Sequence, residues 1–292
     1  MLFRSGPRNH VLEQMNKGVH LSNQHDEDAK LLESLGYKQE FTRRWSGFSN
    51  FAISFSIISI LSGCFTTFGQ AWNNGGPVAI SLGWPLISAF ILIIGFCLSE
   101  LASAYPTSGG IYWWASKLGG VKAGFYSGWL NLIGLVAVTA SVGYGVTAFI
   151  STLLSPFHWW ANLFASSKAN QFIYQQFLLF IIVMLFVALV NLFSHKLLAF
   201  FNNTSVWWHV FGSAAIVIIL IAAAKHHQTG HFFFTHINNS GFSGKGGQFL
   251  WYVLPLGFLL TQYTITGYDA SAHLAEETHN AHVSSAQGIW KD

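Results

Sequence analysis

An all-α polytopic membrane protein with six transmembrane helices is the fold class this sequence predicts, and three observations predict it. Of the 292 residues, 52% are hydrophobic and only 9% are charged, whereas an ordinary soluble domain carries about 25% charged residues. Mean hydropathy is +0.42, with 27 Phe and 12 Trp. Six apolar stretches, at about 47–70, 78–101, 123–154, 172–194, 204–224 and 249–273, approach or exceed the roughly 20 residues needed to cross a bilayer. A large soluble core with buried helices would not require runs of that length.

Residues 1–45 read as a polar tail holding seven of the fourteen Lys and Arg residues. Within it, Asp26-Glu27-Asp28 precedes Ala29, Leu31, Leu32 and Leu35, the pattern of a short amphipathic helix with an acidic start. Gly36 is placed to end it. The opening MLFRSGPRNH has no apolar core, so no cleaved signal peptide is expected and the first span directs insertion.

Span one, GFSNFAISFSIISILSGCFTTFGQ, carries Ser56, Ser59, Ser62, Gly63, Thr66 and Thr67 through its middle. Such small residues fit either close helix packing or a break at Ser62-Gly63. Asn73-Asn74-Gly75-Gly76-Pro77 then marks a turn. Span two ends at Glu100, and Pro106 to Gly110 breaks the chain before the aromatic run Tyr112-Trp113-Trp114, suited to the membrane interface. Span three is long enough to require tilt or protrusion. Spans four and five are separated by a short turn with His195 and Lys196, and a polar Gly-rich loop leads to span six. The transmembrane domain is thus expected over 46–277, followed by a short segment, 278–292.

Six spans put both ends on one side. That side receives eleven of the fourteen Lys and Arg residues and the other receives Lys168, Lys225 and Lys245. The positive-inside rule places both termini in the cytoplasm. A formal net charge of +3 without a clustered basic face excludes nucleic acid as a partner. Cys64 and Cys97 both lie in apolar stretches, so no disulfide framework or thiolate metal site follows. His226, His227, His231 and His236 crowd one loop without Cys or Asp, which reads as solvated loop rather than metal centre. No nucleophile, Walker or dinucleotide motif occurs, so neither a cofactor nor an enzymatic reaction is expected. Asn238-Asn239-Ser240 matches a glycosylation acceptor on the outer side, a weak pattern by itself.

The acidic residues are the sharper signal. Asp269 is the only one between Glu100 and Glu276. A carboxylate in an apolar span costs roughly 2.5–3.5 kcal/mol on insertion scales, and its default reading is functional. Gly267, between Thr266 and Tyr268, is where span six is expected to break. Irregular backbone at membrane depth is tolerated only against protein or a cavity. His273, four residues after Asp269, shares its helical face if the helix resumes. His209, inside span five beside Trp207 and Trp208, reads equally as a proton relay or an interfacial anchor.

Spans one and six, interrupted near their middles and separated by four helices, match the discontinuous pair of inverted-repeat transporters. A zwitterion suits such a pair. Its carboxylate would meet amides near Ser62-Gly63-Cys64, and its ammonium would meet carbonyls near Ile265 and Gly267.

The sequence resembles the amino acid–polyamine–organocation permeases, and within them the amino acid/choline transporter branch. The resemblance rests on Leu35-Gly36-Tyr37, Phe48-Ser49-Asn50-Phe51-Ala52, Ser59-Ile60-Leu61-Ser62-Gly63 and Glu100 to Gly110. It closes on Thr266-Gly267-Tyr268-Asp269-Ala270-Ser271 and Glu276-Glu277-Thr278-His279-Asn280-Ala281. The resemblance implies a leucine-transporter-like 5+5 fold, of which this chain supplies the first inverted repeat (helices 1–5) and helix 6. It implies an amino acid, GABA or choline as substrate, carried across the plasma membrane by proton coupling or exchange. Ser62 and Gly63, and Thr266, Gly267 and Tyr268, match the family's two unwound stretches; with Ser59, Cys64 and Ile265 beside them they are the substrate-binding candidates. Asp269, Glu100 and His209 are the gating or coupling candidates.

Two departures stand out. Ala286 and Gln287 precede Gly288 where relatives carry proline, and the helices of the second repeat do not follow. The expectation is a truncated half, inactive alone, that would partner the missing C-terminal half or another subunit. The rival readings are a non-transporting half-permease and, less well supported, a membrane enzyme built on Glu100, Asp269 and His273.

Overall fold

The computed structural model describes residues 29–37, 41–58, 60–165, 170–242 and 247–291. The described chain is helical, with Trp45 and Thr278 forming an isolated parallel bridge. A short α1 covers 29–34, and it ends as expected: Gly36 adopts φ 74°, and the Tyr37 amide returns to the Leu32 carbonyl at 2.9 Å. Leu32 is fully buried.

The first span is two helices, α2 (Gly47–Ile57) and α3 (Ile60–Asn73). The first helix therefore ends at Ile57, and α3 is under way by Ile60, ahead of the expected break at Ser62-Gly63. Ser62 and Gly63 occupy the first turn of α3 instead, because Gly63 is consumed by a packing contact described below. Next come α4 (Pro77–Ala104) and α5 (Gly110–Leu154). Gly120, at φ 80° and ψ 177°, divides α5, so the 34 residues after it form the long membrane portion. A short α6 (His158–Asn162) lies in the following connection. Then α7 (Gln171–Phe193) and α8 (His195–Ala223) follow, with the Ser194 side chain capping α8 through the Leu197 amide.

Among the described residues, five helical stretches, including 47–73 taken together, are long and apolar enough to cross a membrane. The sixth apolar segment is shorter, Phe249–Ile265. It is built from a π-helical turn (Phe249–Val253), α9 (Leu254–Gly257) and α10 (Leu259–Ile265). The expected continuation to 273 is interrupted. Thr266 turns to ψ 134° and Gly267 to φ 104°, a region closed to residues with a Cβ. After the break come α11 (Ala270–His273), a 3₁₀ turn (Ala275–Glu277) and α12 (Ala281–Lys291).

The chain divides into two compact units, and it passes between them at both helix breaks. One unit holds 1–57, 91–124 and 267–292; the other holds 58–90 and 125–266. In the first unit Ala102, Trp114, Ala272 and Ile289 form a core, with Leu98, Tyr105, Trp113 and Tyr268 packed around it. The segment 278–292 is thus an integral part of this unit, since α12 packs on α2 and α11. The second unit exposes large apolar side chains along α5, α7 and α8, among them Leu130, Ile133, Phe186, Leu192, Ile218 and Leu220. A wide apolar exterior is what lipid requires.

Candidate discontinuous-helix site

In the second unit α3 crosses α10 at Gly63. A Cβ there would lie 2.8 Å from the Thr264 Cα and 2.9 Å from its Oγ1. Only glycine allows this approach, which is the small-residue packing typical of membrane helices. Thr264 is buried and returns its hydroxyl to the Leu260 carbonyl at 2.7 Å. The crossing sets the first turn of α3, where helical N–H groups point outward, beside the last turn of α10, where carbonyls do. Of the two readings of the small residues, close packing holds at Gly63, whereas the break expected at Ser62-Gly63 lies before α3.

The individual candidates divide accordingly. Ser62 and Gly63 lie in the first turn of α3. Cys64 is its fifth residue, so helical geometry turns its amide to Ile60 rather than to a ligand. Ser59 lies outside the described residues. Ile265 ends α10, and the Thr266 hydroxyl caps the Gln262 carbonyl at 2.7 Å. The same unit holds His209, near the middle of α8 rather than close to its start as expected. It is 8% exposed, with Nδ1 at 2.8 Å from the Ser205 carbonyl.

In the first unit Gly267 presses on Ile57, whose Cγ2 occupies the place of a glycine Cβ. The Gly267 carbonyl accepts the Ala270 amide at 3.0 Å, leaving less capacity for a substrate ammonium than expected. Tyr268 packs into the core of this unit, 3.9 Å from where a Cβ on Gly95 would sit. Asp269 and His273 do share a helical face, with Oδ2 and Nε2 3.6 Å apart. The His273 ring also closes on Gly110. Glu100 is exposed on the last turn of α4.

The polar network that stabilises the segment after the second break has no signature in the sequence. Buried Asn50 donates from Nδ2 to the Ser271 carbonyl and to Thr278 Oγ1, both at 2.9 Å. Buried Ser54 accepts the Ser271 amide at 2.8 Å. Fully buried Glu276 accepts the Ser108 amide at 2.9 Å. Arg43, 7% exposed, donates to the carbonyls of Ala275 and Thr278 at 3.3 and 2.5 Å. The Arg44 and Trp45 amides both reach the Glu277 carbonyl, and the His279 amide reaches back to Trp45. Residues 43–45, placed in a solvated tail by composition, are thus built into the fold. The only signal was their apolar neighbours Phe41, Trp45 and Phe48.

Comparison with known proteins agrees with this architecture. The family described as "Amino acid permease" matches residues 46–289. The Arabidopsis thaliana amino-acid permease BAT1 is 37% identical over 267 residues, which is 88% of this chain and 50% of that protein. A rice (Oryza sativa subsp. japonica) homolog of it is 36% identical over 264 residues, 88% of this chain and 49% of that protein. The GABA-specific permease of Saccharomyces cerevisiae is 35% identical over 132 residues, 44% of this chain and 23% of that protein. The chain spans about half the length of the two plant relatives. No solved structure gives a significant match. With most of its length matched, the chain belongs to the amino acid permease family.

Proposed function

We propose that this chain is the substrate-bearing repeat of a secondary transporter for amino acids or related amines. The observation that carries the reading is the Gly63–Thr264 crossing, which sets a helix N-terminus beside a helix C-terminus within one unit. In a dry environment outward N–H groups suit a carboxylate and outward carbonyls suit an ammonium. The first turn of α3, with Ser62 and Gly63 in it, takes the substrate carboxylate, and the carbonyl of Ile265 takes its ammonium. Cys64 and Thr266, in the same unit, shape the approach, and Ser59, Gly267 and Tyr268 are carried as candidates on the family resemblance alone. Asp269, with His273 beside it, serves gating or coupling, and His209 and Glu100 are secondary candidates. The excess of Lys and Arg on one side orients the chain in the plasma membrane with both termini cytoplasmic.

Alternating access moves two repeats against each other. The chain corresponds to about half of the two plant relatives, so its transport cycle requires a second repeat, supplied by further polypeptide or another subunit. A non-transporting half-permease is the second reading that the same half-length favours. Equilibrium binding of labelled amino acids, GABA and choline to the purified chain tests the site. Saturable binding of one class, lost in Gly63→Ala, is expected; no saturable binding overturns the assignment. Saturable uptake into proteoliposomes holding this chain alone would overturn the need for a second repeat.

A further inference from the structure

A second polar feature lies inside the membrane portion, away from the helix breaks. A cleft of about 340 Å³ between α5 and α7 is lined by Ala140, Tyr144, Phe172, Gln176, Phe177 and Phe180, among others. Its walls are apolar and face outward: Tyr144, Phe172 and Phe177 are all more than half exposed. At its inner edge sits Gln176, only 3% exposed. One end of its amide lies 2.6 Å from Thr147 Oγ1, and the other end, Nε2, has no hydrogen-bond partner. Gly143 makes room for the arrangement, since a Cβ there would meet the Phe180 ring at 3.0 Å.

Proton counting sharpens what is missing. Thr147 Oγ1 lies 2.6 Å from the Tyr144 carbonyl and 2.6 Å from the Gln176 amide, but a hydroxyl carries a single hydrogen. If that hydrogen goes to Gln176, the amide nitrogen is left open. If it goes to Tyr144, the amide rotates to donate to Thr147, and its oxygen and one N–H are left open. Either way a buried amide atom faces an apolar cleft unsatisfied, at a cost of roughly 1–3 kcal/mol. A hydroxyl group, donor and acceptor together, satisfies both orientations. A purely accepting group satisfies one.

Depth supplies the second constraint. Gln176 is five residues into α7, about 8 Å along a helix about 34 Å long. Thr147 lies seven residues from the end of α5, at a matching depth. In a hydrocarbon core about 30 Å thick both lie about 6 Å or more inside its edge, in one leaflet, where no water reaches the open amide and a largely apolar molecule with a single polar group can.

We propose that the α5–α7 cleft binds a membrane sterol, its hydroxyl held by Gln176 and its ring system lying along Tyr144, Phe172, Phe177 and Phe180. The site is separate from the substrate-binding residues. A bound sterol fixes α5 against α7 and makes the behaviour of this half of the molecule depend on membrane composition.

The test uses the full chain in phosphatidylcholine nanodiscs with a diazirine-bearing sterol. Irradiation is expected to label peptides containing 140–147 and 172–180, with the label displaced by excess unlabelled cholesterol. Gln176→Leu is expected to lower the displaceable label about tenfold, the scale of one lost buried hydrogen bond. Ala140→Trp, which fills the cleft and keeps the amide, is expected to abolish it. Melting temperatures in sterol-free detergent establish that both variants fold, with Gln176→Met replacing the leucine variant if it does not. Equal labelling of wild type and the position-176 variant, or label confined to other helices, overturns the proposal. It also fails if an acyl-chain diazirine phospholipid labels these peptides and cholesterol does not displace it, since the cleft is then an acyl groove.

Discussion

Gly63 and Thr264 bring two membrane helices to backbone contact, with 2.8 Å between the position of a Cβ on residue 63 and the Thr264 Cα. Overpacking at such a crossing costs roughly 1–3 kcal/mol because backbone cannot step aside as a side chain can. Gly63→Ala is therefore expected to lower the melting temperature of the detergent-purified chain by several degrees. Gly69, in the same helix but with open space around it, should tolerate alanine and gain slightly in helix propensity, by under about 1 kcal/mol. Similar melting of the two variants would remove the crossing from the account.

Gly267 combines a positive φ of 104° with a side-chain neighbour, Ile57, in the place of its Cβ. The two effects are separable. Ile57→Ala should recover part of the stability lost in Gly267→Ala, leaving roughly the 1–3 kcal/mol of backbone strain. A double-mutant cycle by thermal unfolding measures the coupling. Strict additivity would mean the clash contributes nothing.

Arg43 satisfies two carbonyls of the segment after the second break. Its loss leaves buried carbonyls open, and Arg43→Ala is expected to cost roughly 1.5–3 kcal/mol. Trp45→Phe removes only the 3.2 Å bond from Nε1 to Glu277 and should cost about 0.5–1.5 kcal/mol. Hydrogen exchange of the 275–281 amides reports the difference directly. Increased exchange is expected there for Arg43→Ala, with little change in α7 and α8.

Asn50 donates through Nδ2 to both Ser271 and Thr278 while fully buried. Asn50→Asp substitutes an acceptor for that donor and sets it against the Ser271 carbonyl, whereas Asn50→Leu removes the polar group altogether. The aspartate is expected to be the more damaging, because a buried charge facing an acceptor is worse than an empty contact. Expression and monodispersity by fluorescence-detected size exclusion would rank the two. A better-behaved aspartate would contradict the assigned direction of these bonds.

Asp269 and His273, 3.6 Å apart on one turn, distinguish a transport role from a structural one. Asp269→Asn should keep the fold, shifting the melting temperature little, because the pair is partly exposed and exposed ion pairs contribute about 0–1 kcal/mol. In a complex competent for uptake the same change should abolish coupling or gating. Loss of folded protein instead would assign the carboxylate to structure.

Much of this protein is legible in its sequence because a bilayer reduces folding to a few rules. Length, apolar run and charge deficit place the helices, and a glycine followed by a carboxylate at membrane depth marks the break at Gly267 and Asp269. Short-range chemistry also places Gly36 as a helix stop and Asp269 and His273 on one face. Tertiary structure decided the rest. The first break follows Ile57 and does not fall at Ser62-Gly63, where glycine 63 serves contact with Thr264, a partner about 200 residues away in sequence. Arg43 and Asn50 became buried because carbonyls and a hydroxyl freed by the second break had to be satisfied, and no local pattern shows which distant residue will supply the donor. The discontinuous helices were written in composition and spacing; what packs against them depends on long-range approach of backbones, which only the folded chain determines.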